Sequence, residues 1–334
     1  MDGKIRILIG RDLPDDLLGM ITDVDPGIEI DISRDSDERD RKVGEADILF
    51  THRPKIDMRN APNLKWIHFM WEGVDHILEG DDVFPGVILT NSSGAHSIPI
   101  AEHVFTCILN FSRKFPMYME YQERHEWLDW WDQPRTESLN GKTIGIVGYG
   151  RIGRAVAKIA QGFGMKVIAL KRDPDRSKNE GFDTPGCCDM KGLIPDTIYG
   201  PEGLSELLSE SDFVVLCLPL TGETFHIIGS DELKMMKRSS YLVNIGRGDL
   251  VNEKALIEAL KEGVIAGAGL DVFSEEPLPP ESEIWDLENV MVTPHSSTGG
   301  DWADEAVCRL FVENLRRYIE GREMLNVVDK RRGY

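Results

Sequence analysis

Short apolar, β-branched runs recur along the chain with helical patterns between them, an alternation that predicts parallel sheets covered on both faces by helices. In the first part, strands are predicted at Ile5 to Gly10, Ile28 to Ser33, Ala46 to Phe50, Trp66 to Met70 and Val87 to Asn91. Short helices and turns such as Asp25-Pro26-Gly27 join them, giving an open sheet of flavodoxin-like size. An amphipathic stretch from Ser97 through Ile100-Ala101-Glu102-His103-Val104-Phe105 toward Arg113 reads as a helix connecting two domains. From Lys142 the alternation restarts, with strands predicted at Thr143 to Val147, Lys166 to Leu170, Phe213 to Leu218, Tyr241 to Ile245, Ile265 to Val272 and Val290 to Thr293. Helices are predicted between them at Arg151 to Phe163, Gly203 to Glu210, Asp231 to Lys237 and Asn252 to Glu262. About six strands with intervening helices is the size of a doubly wound nucleotide-binding domain. A last helix, Asp301 to Glu320, has no strand after it and is expected to pack back on the first domain. One stretch, Asp173 to Pro201, is long for a loop in a compact domain and is either functional or locally structured.

The expected class is therefore α/β with two open parallel-sheet domains. A flavodoxin-like substrate-binding domain is assigned to residues 1–96 and 296–334, and a doubly wound Rossmann nucleotide-binding domain to residues 97–295. The length of 334 residues agrees, because single hydrophobic cores stop growing near about 250 to 300 residues.

Charge then narrows the partners. With 38 basic and 58 acidic side chains the formal net charge is −20, which repels phosphate backbones and anionic lipid and argues against nucleic acid or a membrane surface as a partner. Acidic small molecules stay compatible, provided a few cations or backbone N–H groups converge locally. The opening segment places a strand-like run directly after Met1, without the pattern of a signal peptide, and no apolar run approaches the ~20 residues of a membrane helix. Cytoplasmic localisation is the expectation. The 5 cysteines lack the paired spacing of a zinc site or a disulfide framework, so reduced thiols and no metal are expected. The adjacent Cys187-Cys188 lies in the irregular stretch.

Gly148-Tyr149-Gly150-Arg151-Ile152-Gly153 follows a predicted strand and opens a predicted helix, the context in which this motif binds a dinucleotide. The first glycine permits a tight turn, the second lets backbone approach a pyrophosphate, and the third allows close helix packing over free N–H donors. About 20 residues on, an NAD site ends its second strand in a carboxylate, whereas an NADP site places cations there. Here the strand ends in Lys171-Arg172, which favours NADP(H), with NAD(H) as the alternative if Asp173 or Asp175 reaches the ribose instead.

Three further segments end predicted strands: Val243-Asn244-Ile245-Gly246-Arg247-Gly248, Gly269-Leu270-Asp271-Val272-Phe273-Ser274-Glu275-Glu276-Pro277 and Val292-Thr293-Pro294-His295. Open α/β sheets bind their ligands at that edge. Reduction of a 2-oxo acid requires a cation for the carboxylate and ketone, a proton donor for the nascent alkoxide, and a group that keeps the donor charged. The planar fork of Arg247 suits the first task, and His295 the second, an unperturbed imidazole having a pKa of about 6.5. Glu276 would stabilise the imidazolium and orient its ring. Taken singly, each residue also has a bland reading, as a surface charge, an acid before a proline and a satisfied loop histidine.

The ordered motifs, from Gly73-Val74-Asp75 through the glycine motif, Pro219-Leu220-Thr221, Asn-Ile-Gly-Arg-Gly, Leu-Asp-Val-Phe and Thr-Pro-His, resemble the D-isomer-specific 2-hydroxyacid dehydrogenase family over nearly the whole chain. The resemblance implies that Arg247 binds substrate carboxylate and carbonyl, that Glu276 partners His295, and that His295 donates and accepts the proton. It implies substrate contacts at Glu72, Gly73 and Val74, the last two through backbone N–H groups. Cofactor contacts are implied at Leu218, Pro219, Thr224, Ile245, Gly246, Arg247, Asp271, His295 and Ser297, with Asp271 on the nicotinamide carboxamide. A homodimer built through the nucleotide-binding domain is also implied, in which Trp127 to Trp131 forms interface, active-site wall or ordinary core. Where many relatives carry a small residue this chain has Glu72, and after His295 come Ser296-Ser297-Thr298 where glycine or alanine is frequent. No regulatory domain is expected after Gly321, which argues against the longer phosphoglycerate dehydrogenases; a glutamate at 276, not an amide, argues against formate.

The expected function is an NADPH-preferring oxidoreductase reducing a small 2-oxo acid, such as glyoxylate or hydroxypyruvate, to the D-2-hydroxy acid. The alternative is a nucleotide-sensing, corepressor-like binding module on the same fold. Loops near Thr51 to Pro54, Trp71 and Trp302 are expected to set the substrate pocket.

Overall fold

The computed structural model describes residues 4–52, 56–74, 84–174, 182, 188–299 and 301–330, with no description of the side chains of 301 and 302. Pro54, Asp75, Asp175, Cys187 and the side chain of Trp302 therefore lie outside the described residues. The chain divides into two compact units, Met1–His96 with Gly181–Thr184 and Gly300–Tyr334, and Ser97–Glu180 with Pro185–Gly299.

The first unit holds a five-stranded parallel sheet of β1 (Ile5–Ile9), β2 (Ile28–Ile32), β3 (Ile48–Thr51), β4 (Trp66–Phe69) and β5 (Ile88–Asn91), in the order β2-β1-β3-β4-β5. This is the flavodoxin-like arrangement. Helices α1 (Asp15–Thr22) and α2 (Ser36–Lys42) follow the first two strands. Asp35 caps α2 by accepting a hydrogen bond from the Glu38 N–H, satisfying one of the donors that a helix start leaves open. All of β3 and β4 is buried, because apolar clusters cover both faces. On one face α1 packs with the final helix α9 (Asp301–Glu320), whose Phe311 stacks on Phe50 at 4.3 Å and on Trp66 at 5.0 Å. The pattern that left α9 without a following strand is explained by this return to the first sheet.

The second unit begins with α3 (Ser97–Arg113) and α4 (Phe115–Glu123), then carries β6 (Thr143–Val147), α5 (Arg151–Gly162), β7 (Lys166–Leu170), β8 (Thr197–Tyr199), α6 (Leu204–Glu210), β9 (Phe213–Leu216), α7 (Ser230–Met235), β10 (Tyr241–Asn244), α8 (Glu253–Lys261), β11 (Gly267–Leu270) and β12 (Val290–Val292). Its sheet is wholly parallel in the order β12-β11-β10-β9-β6-β7-β8, the doubly wound pattern, with the order reversing beside β6. Successive side chains feed opposite cores: Phe213 and Val215 face the layer containing α3 and α5, while Val214 and Leu216 face the layer containing Leu233 of α7 and Leu256 of α8. A strand buried on both sides needs an uninterrupted apolar run, and this is why its sequence shows no polar alternation.

Seven strands are present where about six were expected. The addition is β8, inside the irregular stretch, whose backbone pairs with Ile168 to Leu170. Helix α4 was also not foreseen; none of its residues is buried, so it has no apolar stripe to read. Several predicted strands end earlier than expected, among them β9 at Leu216 and β11 at Leu270, because the residues beyond leave the ladder to build loops.

His68 is fully enclosed in the first sheet. Trp66 Nε1–H donates to Thr90 Oγ1 at 2.8 Å and Ser92 Oγ donates to the Phe69 carbonyl at 2.9 Å. Ser92 Oγ therefore accepts from His68 Nε2–H at 3.1 Å, and Thr90 Oγ1 donates to Nδ1 at 2.7 Å, which fixes a neutral ring. Burial pushes its pKa down from 6.5 to about 3. The folded-state value is depressed, so stability is complete above pH 6.5 and declines as pH falls toward 3, where only the unfolded chain takes the proton. At pH 5 the loss is on the order of 2 kcal/mol. Urea unfolding between pH 3 and 6.5 should show this slope in the wild type and lose about one proton's worth in His68→Gln; equal slopes would contradict it.

Candidate active site

The glycine motif sits where β6 ends beside the reversal of strand order. Gly148 has φ +107°, a backbone conformation that favours glycine, and a Cβ there would lie 2.8 Å from the Cys217 carbonyl carbon. A Cβ on Gly153 would lie 2.4 Å from the Gly148 carbonyl oxygen, so the helix packs directly onto its own turn. Gly150 differs: its Cβ direction meets nothing within 4 Å, at the uncapped start of α5. Open space in front of free helix N–H groups is the cradle a pyrophosphate requires, so these residues fit a dinucleotide. The Gly148 and Tyr149 N–H groups both donate to the Leu170 carbonyl at 3.1 Å, which ties the turn to the end of β7 and brings Lys171 and Arg172 beside it.

Tyr149 turns inward. Its hydroxyl donates to Asp189 at 2.7 Å, and the guanidinium of the buried Arg154 stacks over its ring at 4.6 Å. Burial acts to raise the Asp189 pKa, but N–H donors from Ile194 and Leu193, with Tyr149 and Arg154, hold it below the ordinary carboxylate value. The side chain of Tyr149 thus anchors residues 189–194 beneath the motif. Arg172 is exposed and lies 3.9 Å from Glu223 in the loop after β9. In that loop Thr224 Oγ1 donates to the Pro219 carbonyl at 2.7 Å and accepts from the Thr221 N–H at 2.8 Å, so its hydroxyl shapes the turn.

Arg247, Glu276 and His295 follow the ends of the adjacent strands β10, β11 and β12. Asn244 organises the Arg247 turn, accepting from the Gly246 N–H at 3.1 Å and donating to the Arg247 carbonyl at 2.9 Å. Gly248 then passes so close to the next segment that a Cβ would fall 1.9 Å from the Phe273 carbonyl carbon. Three residues further, Glu276 Oε1 accepts from the Phe273 N–H at 2.9 Å while Oε2 meets His295 Nδ1 at 2.7 Å. An ionised carboxylate only accepts, so Nδ1 carries the proton shared with Glu276, and Nε2 is directed elsewhere. His295 has φ +50°, uncommon for a residue with a Cβ. The structure therefore joins two of the three expected catalytic residues by a direct bond and packs the turn of the third against their segment.

Asp271 is buried and takes three donors: Thr293 Oγ1 at 2.6 Å and Ser296 N–H at 2.9 Å on Oδ1, and Ser297 N–H at 3.0 Å on Oδ2. His103 of α3 reaches Thr293 Oγ1 with Nε2 at 3.1 Å. Sequence reasoning missed His103, which lies in the quoted α3 motif but gave no sign of its neighbours. In the first unit, Glu72 accepts from the Gly94 N–H at 3.1 Å, and its carbonyl accepts from Asn91 at 2.7 Å; Gly73 is half-buried and Val74 packs in the apolar core. Trp127, Trp130 and Trp131 are 91%, 76% and 90% exposed, which removes core packing from their alternatives.

A doubly wound sheet with this cradle, and a carboxylate-paired histidine on its C-terminal edge, defines a nicotinamide-dependent oxidoreductase. The chain belongs to the D-isomer specific 2-hydroxyacid dehydrogenase family, whose NAD binding domain model matches residues 105–297. It is 36% identical to the glyoxylate reductase of Thermococcus litoralis over 345 aligned positions, 98% of this chain and 97% of that protein. Among solved structures it resembles a family member from Xanthobacter autotrophicus in complex with NADPH and MES, with TM-score 0.79, 29% identity, and 99% and 100% of the two chains covered. It resembles equally the NADPH-dependent glyoxylate/hydroxypyruvate reductase of Sinorhizobium meliloti in complex with NADP and sulfate, with TM-score 0.79, 28% identity, and 99% and 100% covered. The chain is accordingly an NAD(P)-dependent oxidoreductase of this family. Among the described residues no helix is long and apolar enough to cross a membrane.

The Gly248 contact yields a stability prediction. Gly248→Ala forces backbone apart between the Arg247 turn and the Glu276 segment, an overpacking cost of about 1–3 kcal/mol. A lowered melting temperature together with reduced turnover is expected; a variant that melts and turns over like the wild type would show that the close approach is dispensable.

Proposed function

We propose that the protein is an NADPH-preferring reductase that converts a short 2-oxo acid, of the size of glyoxylate or hydroxypyruvate, to the D-2-hydroxy acid. The observation that carries this reading is the 2.7 Å contact of His295 Nδ1 with Glu276, which leaves Nε2 as the atom that carries a transferable proton in the imidazolium form. The activities by which the glyoxylate reductase and glyoxylate/hydroxypyruvate reductase relatives are named support the substrate class.

A nicotinamide held at this cradle would supply the hydride. Arg247 pairs its planar fork with the substrate carboxylate and polarises the ketone. As negative charge develops on the ketone oxygen, His295 gives it the Nε2 proton and keeps the Nδ1 proton on Glu276, whose charge favours the imidazolium before transfer. The amides of Gly73 and Val74 are assigned to substrate binding, and Glu72 to disfavouring a second substrate carboxylate by like charge. We assign residues 97–295 to cofactor binding and residues 1–96 and 296–334 to substrate binding. Gly148 to Gly153 form the pyrophosphate cradle, the N–H groups at the start of α5 being its donors, with Leu218, Pro219, Thr224, Ile245, Gly246 and Ser297 lining the rest. Asp271 is assigned to the carboxamide end of the cofactor, where it holds the Ser296 and Ser297 amides. Lys171 and Arg172 pair with the ribose 2′-phosphate, an assignment supported by the NADP-bound relative.

A panel of 2-oxo acids assayed with NADPH and NADH tests this reading. Arg247→Ala should lower kcat/KM by at least ~100-fold, and Arg172→Ala should weaken NADPH far more than NADH. Nucleotide binding without turnover of any 2-oxo acid would favour the binding-module alternative, and an unchanged cofactor preference in Arg172→Ala would remove the 2′-phosphate assignment.

The chain is further assigned as a homodimer, supported by the exposed Trp127, Trp130 and Trp131 together with Phe115 and Met119 of α4, apolar surface that a monomer would leave in water. Light scattering should give twice the chain mass for the wild type and a shift toward monomer for Trp127→Ser/Trp131→Ser. A monomeric wild type would refute the assignment.

A further inference from the structure

The oxygen atom of Thr293 has only one proton to give. It lies 2.6 Å from Asp271 Oδ1, a carboxylate oxygen that only accepts, so the hydroxyl donates there. The same atom lies 3.1 Å from His103 Nε2, and having spent its proton it must accept. His103 therefore carries a proton on Nε2, whatever the state of its other nitrogen, and a directed chain of donors runs from His103 to Thr293 to Asp271. His103 Nε2 is itself 3.9 Å from Asp271 Oδ1. The adjoining thiol of Cys107, one helical turn along α3, is pushed up to about 11, first by burial and then by the charge of Asp271, so it stays protonated beside them.

Asp271 passes this order to the residues flanking the histidine at its end. Its two oxygens accept from the N–H groups of Ser296 and Ser297, the two residues after His295, while the His295 N–H donates to the Thr293 carbonyl at 3.0 Å. A residue at φ +50° is thus clamped on both sides by groups that meet at one carboxylate and one hydroxyl.

We propose that His103 is a positioning residue for the reaction: by fixing the Thr293 hydroxyl on Asp271 it holds the backbone that carries His295 and aims its Nε2. The proposal rests on the 2-oxo acid reductase reading, in which His295 is the proton donor. His103 touches no reacting atom. Its share is geometric, and displacement of a catalytic group by about 1 Å costs on the order of a hundredfold in rate.

The test compares His103→Leu, which removes the donor, with His103→Gln, whose amide N–H returns one at similar reach. In the assembled enzyme with NADPH and the best 2-oxo acid, His103→Leu should lower kcat about tenfold or more while KM for the acid, held by Arg247, stays within about twofold. His103→Gln should recover most of kcat. Thr293→Val and Thr293→Ser form a second pair in which serine keeps the hydroxyl, and they decide the matter if His103→Leu fails to fold. Independently of turnover, nitrogen-15 NMR of labelled histidine in the cofactor-free protein should show a proton on His103 Nε2.

Undiminished kcat in both His103→Leu and Thr293→Val overturns the proposal. So does equal loss in the leucine and glutamine variants, which marks a general packing role, or a neutral His103 protonated only on Nδ1. A wild type inert toward every 2-oxo acid would instead bring down the reductase reading, leaving the proton assignment of His103 to be judged by NMR alone.

Discussion

Burial of a parallel sheet on both faces is the constraint from which the rest of this structure follows. Strands joined by helical crossovers that cover both faces run parallel here, and parallel strands deliver all their C-terminal ends to one edge. The second unit meets that requirement with apolar side chains dealt alternately to two cores along β6, β7, β9 and β10. Residues far apart in the chain, at positions 148, 247, 276 and 295, consequently emerge at the same edge. Close approaches complete the arrangement, above all where Gly248 lets the turn after β10 pass against Phe273.

The electrostatics of this edge oppose those of the whole molecule. A chain with net charge −20 repels an anionic cofactor and an anionic substrate at long range. At short range the proposed reading reverses the balance, with the open start of α5, Lys171, Arg172 and Arg247 assigned to the anions, whereas Asp271 spends its charge on internal N–H and O–H donors. A buried carboxylate satisfied in this way serves as a structural joint, and its hydrogen bonds organise the loop bearing His295 without repelling a ligand in proportion to its formal charge.

Much of this could be read from the sequence because the strongest signals are local. Apolar, β-branched runs marked eleven of the described strands, among them β1, β6 and β10, and a glycine motif between strand and helix marked the candidate phosphate cradle. Elements without an apolar signature escaped: β8 contributes three residues with none buried, and α4 buries nothing. Side-chain direction escaped as well. Tyr149 stands within the glycine motif yet points into the core, since a buried Asp189 some distance along the chain supplies its partner. His103 was invisible for the same reason, its relation to Thr293 arising only when α3 packs beside β10 and β11. The tryptophans at 127, 130 and 131 stood open among interface, active-site wall and core, and only the folded chain, which exposes them, removes the last.

The central claim is that Arg247 and His295, paired through its other nitrogen with Glu276, meet a 2-oxo acid at the end of β10 to β12. Its most direct test is a crystal structure of the protein with NADPH and oxamate, an unreactive 2-oxo acid analogue. The account predicts the oxamate carboxylate on the Arg247 guanidinium and the amide carbonyl oxygen within about 3.2 Å of His295 Nε2, with the Glu276 bond intact. Oxamate bound elsewhere, or a His295 ring released from Glu276 and turned away from the ligand, would contradict it.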